Sequence, residues 1–89
     1  MKTGIEQIKE ERVKQIEKYG YNQYHDGGYK NKELLFGALA YLNTAIYGSG
    51  PGKEDWPFPE EYYKDEGYVE SLKKAGAFIA AELDRLNIS

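Results

Sequence analysis

The chain has 89 residues, a net charge of −3, no cysteine and 15% aromatic residues, nine of them tyrosines. Its size predicts one domain with a marginal core, for which oligomerisation is a common remedy. The absent cysteine excludes a disulfide framework or a thiolate metal site. The acidic balance argues against a binder of long nucleic acid. No apolar run is long enough to span a membrane, and Met1–Glu6 lacks the apolar core of a signal peptide, so a cytoplasmic protein is expected.

Thr3-Gly-Ile-Glu6 has the spacing of a capping box, in which hydroxyl and carboxylate each satisfy the other residue's backbone N–H. It predicts a first helix to about Tyr19, with Ile5, Ile8, Val13 and Ile16 as an imperfect apolar face and Gly20 as the stop. Tyr21–Tyr29 carries turn chemistry at Asp26-Gly27-Gly28. A second helix is expected from Lys32 to Tyr47, capped by Asn31. It is apolar nearly all round, through Leu34, Leu35, Phe36, Leu39, Leu42 and Ile46, which implies cover on most faces and hence a homo-oligomer.

Gly48–Lys53 breaks that helix. It is not a phosphate loop, because Tyr47 stands where the first glycine belongs and no Ser or Thr follows Lys53. Pro59 before Glu60 and Glu61 predicts a short helical turn. The last helix, Val69–Leu86, carries apolar residues at Val69, Leu72, Gly76, Ile79, Leu83 and Leu86, steps of three and four that read as the core stripe of the central packing helix. Ala75, Gly76, Ala77, Ala80 and Ala81 keep its middle thin. The expected fold is all-α, a small oligomeric bundle of about three helices with two aromatic-rich loops and a single domain over residues 1–89.

His25-Asp26 is the sole His–carboxylate pair. With no serine or cysteine partner nearby, it reads as a binding or turn element rather than a catalytic one. Trp56-Pro-Phe-Pro and Tyr62-Tyr63-Lys64 place aromatic faces beside Lys53 and Lys64, which suits stacking a base and holding phosphate, or else plugging the core. Carboxylates suited to magnesium do not cluster on one helix face, so no metal and no cofactor is expected.

In order, Glu11-Arg12-x-x-Gln15, Tyr19-Gly20-Tyr21, His25-Asp26, Glu33-Leu34-x-x-x-Ala38-x-x-Tyr41, Trp56-Pro57, Tyr63-Lys64 and Leu72-x-Lys74-Ala75 through Glu82-Leu-Asp-Arg-Leu86 resemble a family of short phage and prophage proteins. More distantly, the outline is similar to the MazG-like all-α nucleotide pyrophosphohydrolases. Those carry a Glu-Glu-x-x-Glu metal motif on the second helix, of which only Glu33 has a counterpart here. The resemblance therefore implies a helical scaffold with a nucleotide-sized pocket and no catalytic residues, located in the host cytoplasm if phage-encoded.

By analogy with small phage proteins that sequester nucleotide signals of bacterial immunity, it implies a non-catalytic binder of a cyclic nucleotide or cyclic ADP-ribose variant. Arg12, Lys64 and Lys73 would hold phosphate. Trp56, Phe58 or Tyr63 would stack the base, His25 and Asp26 would read its edges or the ribose, and Gln15 belongs to the same motif as Arg12. The alternatives are a MazG-like hydrolase whose metal site is rearranged onto Glu33, Glu82 and Asp84, or an inhibitor that binds a host protein through its tyrosines.

Overall fold

A computed structural model describes residues 1–19, 32–48 and 54–87. Their secondary structure is α1 (Gly4–Tyr19), α2 (Glu33–Tyr47), a 3-10 turn (Glu60–Tyr62) and α3 (Tyr68–Asn87). The described residues contain no strand, and the fold is a small all-α bundle. No described helix is long and apolar enough to cross a membrane.

Several boundaries follow directly from local chemistry. The capping box forms reciprocally: Glu6 N donates to Thr3 Oγ1 and Thr3 N to Glu6 Oε1, both at 3.2 Å. Gly48, at φ +96°, closes α2 by donating its N–H to Thr44 O at 2.9 Å. Glycine adopts that φ without the Cβ penalty other residues meet. The 3-10 turn follows Pro59, whose carbonyl accepts from Tyr62 N. Asn31 lies outside the described residues. Lys32, immediately before α2, is left-handed at φ 65° and makes no side-chain cap.

α3 is the central element, packed against both α2 and α1. α2 and α3 run antiparallel. The charges of Lys32 and Glu33 act on Glu82 and Arg85 near the end of α3. Gly37 abuts Phe78, and Tyr41 reaches the segment that precedes α3. Leu34, Ala38 and Tyr41 meet Ala75, Phe78 and Ala81 in the core. The small residues bring these backbones together. Gly76 does the same for α1: a Cβ there would stand 2.6 Å from Ile8 Cδ1.

The structure corrects the expected burial of α1 and α3. The α3 stripe is not the core, because Val69, Leu72, Ile79, Leu83 and Leu86 are 42–59% exposed. The buried face is Ser71, Lys74, Ala75, Ala77, Phe78 and Ala81. α1 likewise exposes Ile5, Val13 and Ile16 and buries Glu11, Arg12 and Gln15. The reason is that α1 docks on α3 by ion pairing, Arg12 to Asp84 at 3.0 Å and Glu11 to Lys74 at 3.6 Å, with Ile8 as its apolar contact. Within its own chain α2 is covered on one face, and Leu35, Phe36, Leu39, Leu42 and Ile46 face outward, on the sides for which a second subunit is the expected cover.

Candidate binding site

The segment from Glu54 to Lys64 is tied down residue by residue. Asn43 Nδ2 donates to Asp55 Oδ2 at 2.6 Å, and Trp56 Nε1 to the Pro59 carbonyl at 3.0 Å. Lys64 N donates to the Tyr41 hydroxyl at 2.9 Å, and Tyr63 and Thr44 share a hydroxyl–hydroxyl bond. Thr44 Oγ1 in turn donates to Ala40 O at 2.8 Å, leaving no orphan on that buried side.

These anchors press the loop's rings onto the helices. Tyr63 stacks on Tyr41 at 5.1 Å and Phe58 on Phe78 at 5.8 Å. Trp56 meets Tyr41 edge-on at 5.3 Å and Phe78 at 5.7 Å. Such offset and T-shaped pairs each add roughly 0.5–1.5 kcal/mol beyond area burial. Gly37 makes room for them, since a Cβ there would stand 3.2 Å from both Phe58 and Phe78.

Beside the ring cluster is a cavity of about 30 Å³ lined by Glu11, Gln15, Tyr41, Trp56, Tyr62, Lys64, Lys74 and Phe78. That volume admits one water or one functional group. The polar end is built by α1 and α3. Lys74, only 7% exposed, has Glu66 at 2.8 Å, Glu11 at 3.6 Å and Glu70 at 4.0 Å. At 2.8 Å Glu66 is the hydrogen-bonding carboxylate, and Glu11 and Glu70 add charge around the same ammonium.

Burial alone lowers the Lys74 pKa. Glu66, Glu11 and Glu70 more than offset that, and the ammonium titrates above the ordinary lysine value. Burial also pushes the Tyr41 phenol well above its ordinary value. Gln15 is oriented from behind: its Oε1 accepts from Arg12 Nη1 at 3.4 Å, and Arg12 Nε donates to Asp84 at 3.0 Å. With Oε1 so engaged, the Gln15 amide nitrogen is the end left to donate toward a ligand.

The expected site residues therefore separate. Gln15, Trp56 and Lys64 line the cavity. Phe58 and Tyr63 stand behind it as core packing, and Arg12 positions Gln15. Lys73 pairs with Glu70 at 3.0 Å and lines a different, shallow hollow of about 270 Å³ with Gly4, Gln7, Ile8, Val69 and Leu72. His25 and Asp26 lie outside the described residues.

Sequence reasoning missed Glu11, Tyr41, Lys74 and Phe78 as lining residues, and named Tyr62 only as part of the aromatic loop. Lys74 carried one usable signal, its place three and four residues from Ser71 and Phe78 on a single face. Two of the three carboxylates of the alternative metal site are held by arginines, Glu82 by Arg85 at 2.7 Å and Asp84 by Arg12 at 3.0 Å. Arg85 keeps Glu82 below the usual carboxylate range. Among the described residues no three His, Cys, Asp or Glu side chains gather within metal-binding reach.

No protein-family model, curated protein or solved structure matches the chain. The likeness to phage proteins and to MazG-like enzymes thus rests on the order of residues alone.

Proposed function

We propose that the protein is a non-catalytic binder of a nucleotide-derived small molecule, with the Trp56–Tyr62–Lys74 pocket as its recognition site. The observation that carries this reading is a buried ammonium, held by carboxylates, at the polar end of an aromatic-walled cavity. Concave sites of this kind, largely apolar with a few convergent polar groups, are where small ligands dock. The cavity accepts one polar group of the ligand against Lys74, Gln15 and Glu11. Tyr62 and Trp56 offer ring faces for the planar remainder, and stacking on one such face is worth about 1–3 kcal/mol.

Glu66, on the exposed segment before α3, is the anion that a ligand phosphate would replace beside Lys74. The same chemistry suits a cyclic nucleotide or a cyclic ADP-ribose variant, and sequestering such an immune signal against host defence is the role that follows.

Trp56 is the only tryptophan, so its fluorescence reports on the pocket directly. Titration with a panel of cyclic nucleotides and ADP-ribose derivatives should change Trp56 emission, with calorimetry giving saturable binding. Tyr62→Ala, at an exposed position, should weaken binding about tenfold or more, the equivalent of 1.4 kcal/mol. A panel that leaves both emission and heat unchanged contradicts the proposal.

A further inference from the structure

The most conspicuous surface of the molecule is on the side away from the pocket. On α2, Leu35, Leu39, Leu42 and Ile46 recur in steps of four, three and four. On α3, Val69, Leu72, Gly76, Ile79, Leu83 and Leu86 recur in steps of three and four throughout. This is the spacing of residues that face a partner helix in a coiled-coil seam. Gly76 abuts Ile8 of α1, and Val69 and Leu72 border the hollow beside it, but the other seam residues on both helices are exposed rather than packed on a described helix of their own chain. Each seam lies between a quarter and a third of a turn round from the row that α2 and α3 share, at 100° per residue. On antiparallel helices, rotations in the same sense point to the same side. The two seams therefore form one apolar face, and the ring cluster and α1 lie on the other.

Leu35, Leu39, Leu42 and Ile46, with Leu72, Ile79 and Leu83, are each 37–66% exposed. A fully exposed leucine or isoleucine residue presents about 200 Å², so these seven leave roughly 600 Å², most of it apolar, exposed. That is at the top of the range for the largest patch on a soluble monomer and approaches the ~800 Å² per partner of a standard interface before any polar rim is counted. We infer that this face is the interface of a two-fold dimer, in which the α2–α3 pair of one chain packs on the same pair of a second copy as a four-helix bundle.

The occupant is argued from the pattern. A heptad seam complements another heptad seam, and a two-fold axis applies the same patch to both chains. Charge speaks against a lipid surface: α2 has no basic residue, Glu33 is its one charged side chain, and the chain's net charge is −3. The contact is independent of the proposed ligand, whose pocket is on the far side, so either reading can fail alone.

The natural chain has no cysteine, which gives a clean test in the full-length protein. Leu39→Cys, Leu42→Cys and Ile79→Cys are made singly, with Glu10→Cys and Glu61→Cys as controls off the seam, and mild oxidation is followed by non-reducing electrophoresis. At least one seam position should give a covalent dimer at concentrations where the controls stay single. The double variant Leu39→Glu/Leu83→Glu should elute with the light-scattering mass of one chain while its helical circular dichroism is retained. Equal cross-linking at seam and control positions, or a double variant that keeps a two-chain mass, overturns the proposal. If the double variant loses its helical signal, the cross-linking pattern decides.

Discussion

The two sides of the α2–α3 pair have opposite chemistry, and the assignment is the reverse of what burial preferences suggest. On the covered side, α1 and the aromatic loop enclose Glu11, Arg12, Gln15, Thr44 and Lys74. On the bare side, leucines and isoleucines face outward. Charged side chains are seldom buried unless paired. Here Glu11 and Arg12 pair with α3 through Lys74 and Asp84. The covered side is thus a built polar site sealed by rings, and the bare side is the apolar surface that a second chain would use. In this small domain the enclosed volume is lined with paired polar groups, and much of the apolar surface stays exposed.

Four substitutions separate the two sides. Phe78→Ala removes the ring that Tyr41, Trp56 and Phe58 all pack against. It should lower unfolding stability by about 3–5 kcal/mol in a urea titration. Lys74→Met keeps the stem and removes the charge, leaving Glu11 buried against an apolar tip. A loss of about 2 kcal/mol is expected by the same titration, together with loss of the Trp56 ligand response.

Leu83→Ala on the bare side should act differently. It should change the stability of one chain by less than about 1 kcal/mol, but the midpoint of thermal unfolding should become less sensitive to protein concentration than in the parent, whose midpoint should rise with concentration. Thr3→Ala breaks the capping box and should cost about 1 kcal/mol, confined to fraying of α1 and visible in amide hydrogen exchange of its first turn.

Alkali should unfold the covered side through two groups with the same sign. The Lys74 and Tyr41 pKa values are both raised on folding. Up to the ordinary values near pH 10 the folded and unfolded chains hold these protons equally. Above about pH 10 the unfolded chain releases them first, so stability falls as pH rises further. Denaturant midpoints that decline above pH 10 in the parent, and less steeply in Lys74→Met, are the expected record.

Much of the fold was legible because it is written in local signals. Thr3 and Glu6 announced the start of α1, Pro59 the 3-10 turn, Gly48 the end of α2, and the thin Ala-Gly run of α3 its central place. The face each helix buries was not legible. A three-and-four apolar spacing looks the same whether the helix packs inside its own chain or against another, and on α3 the outward seam was the more regular of the two faces.

The candidate site was half legible. Trp56 and Lys64 advertised themselves by aromatic-plus-cation composition. Glu11 and Lys74 are 63 positions apart, and an ion pair that distant leaves no periodic trace in either helix. Arg12 looks in sequence like any cation that could hold phosphate, and only the fold shows that it donates to Asp84 and Gln15.

Sedimentation equilibrium of the unmodified protein across the micromolar range decides whether the leucine seams are an interface. The account requires a two-chain species of roughly twice the 10.2 kDa chain mass that dissociates on dilution or on Leu39→Glu/Leu83→Glu substitution. A single-chain mass for the parent at about 100 μM, with the helical signal intact, would contradict it.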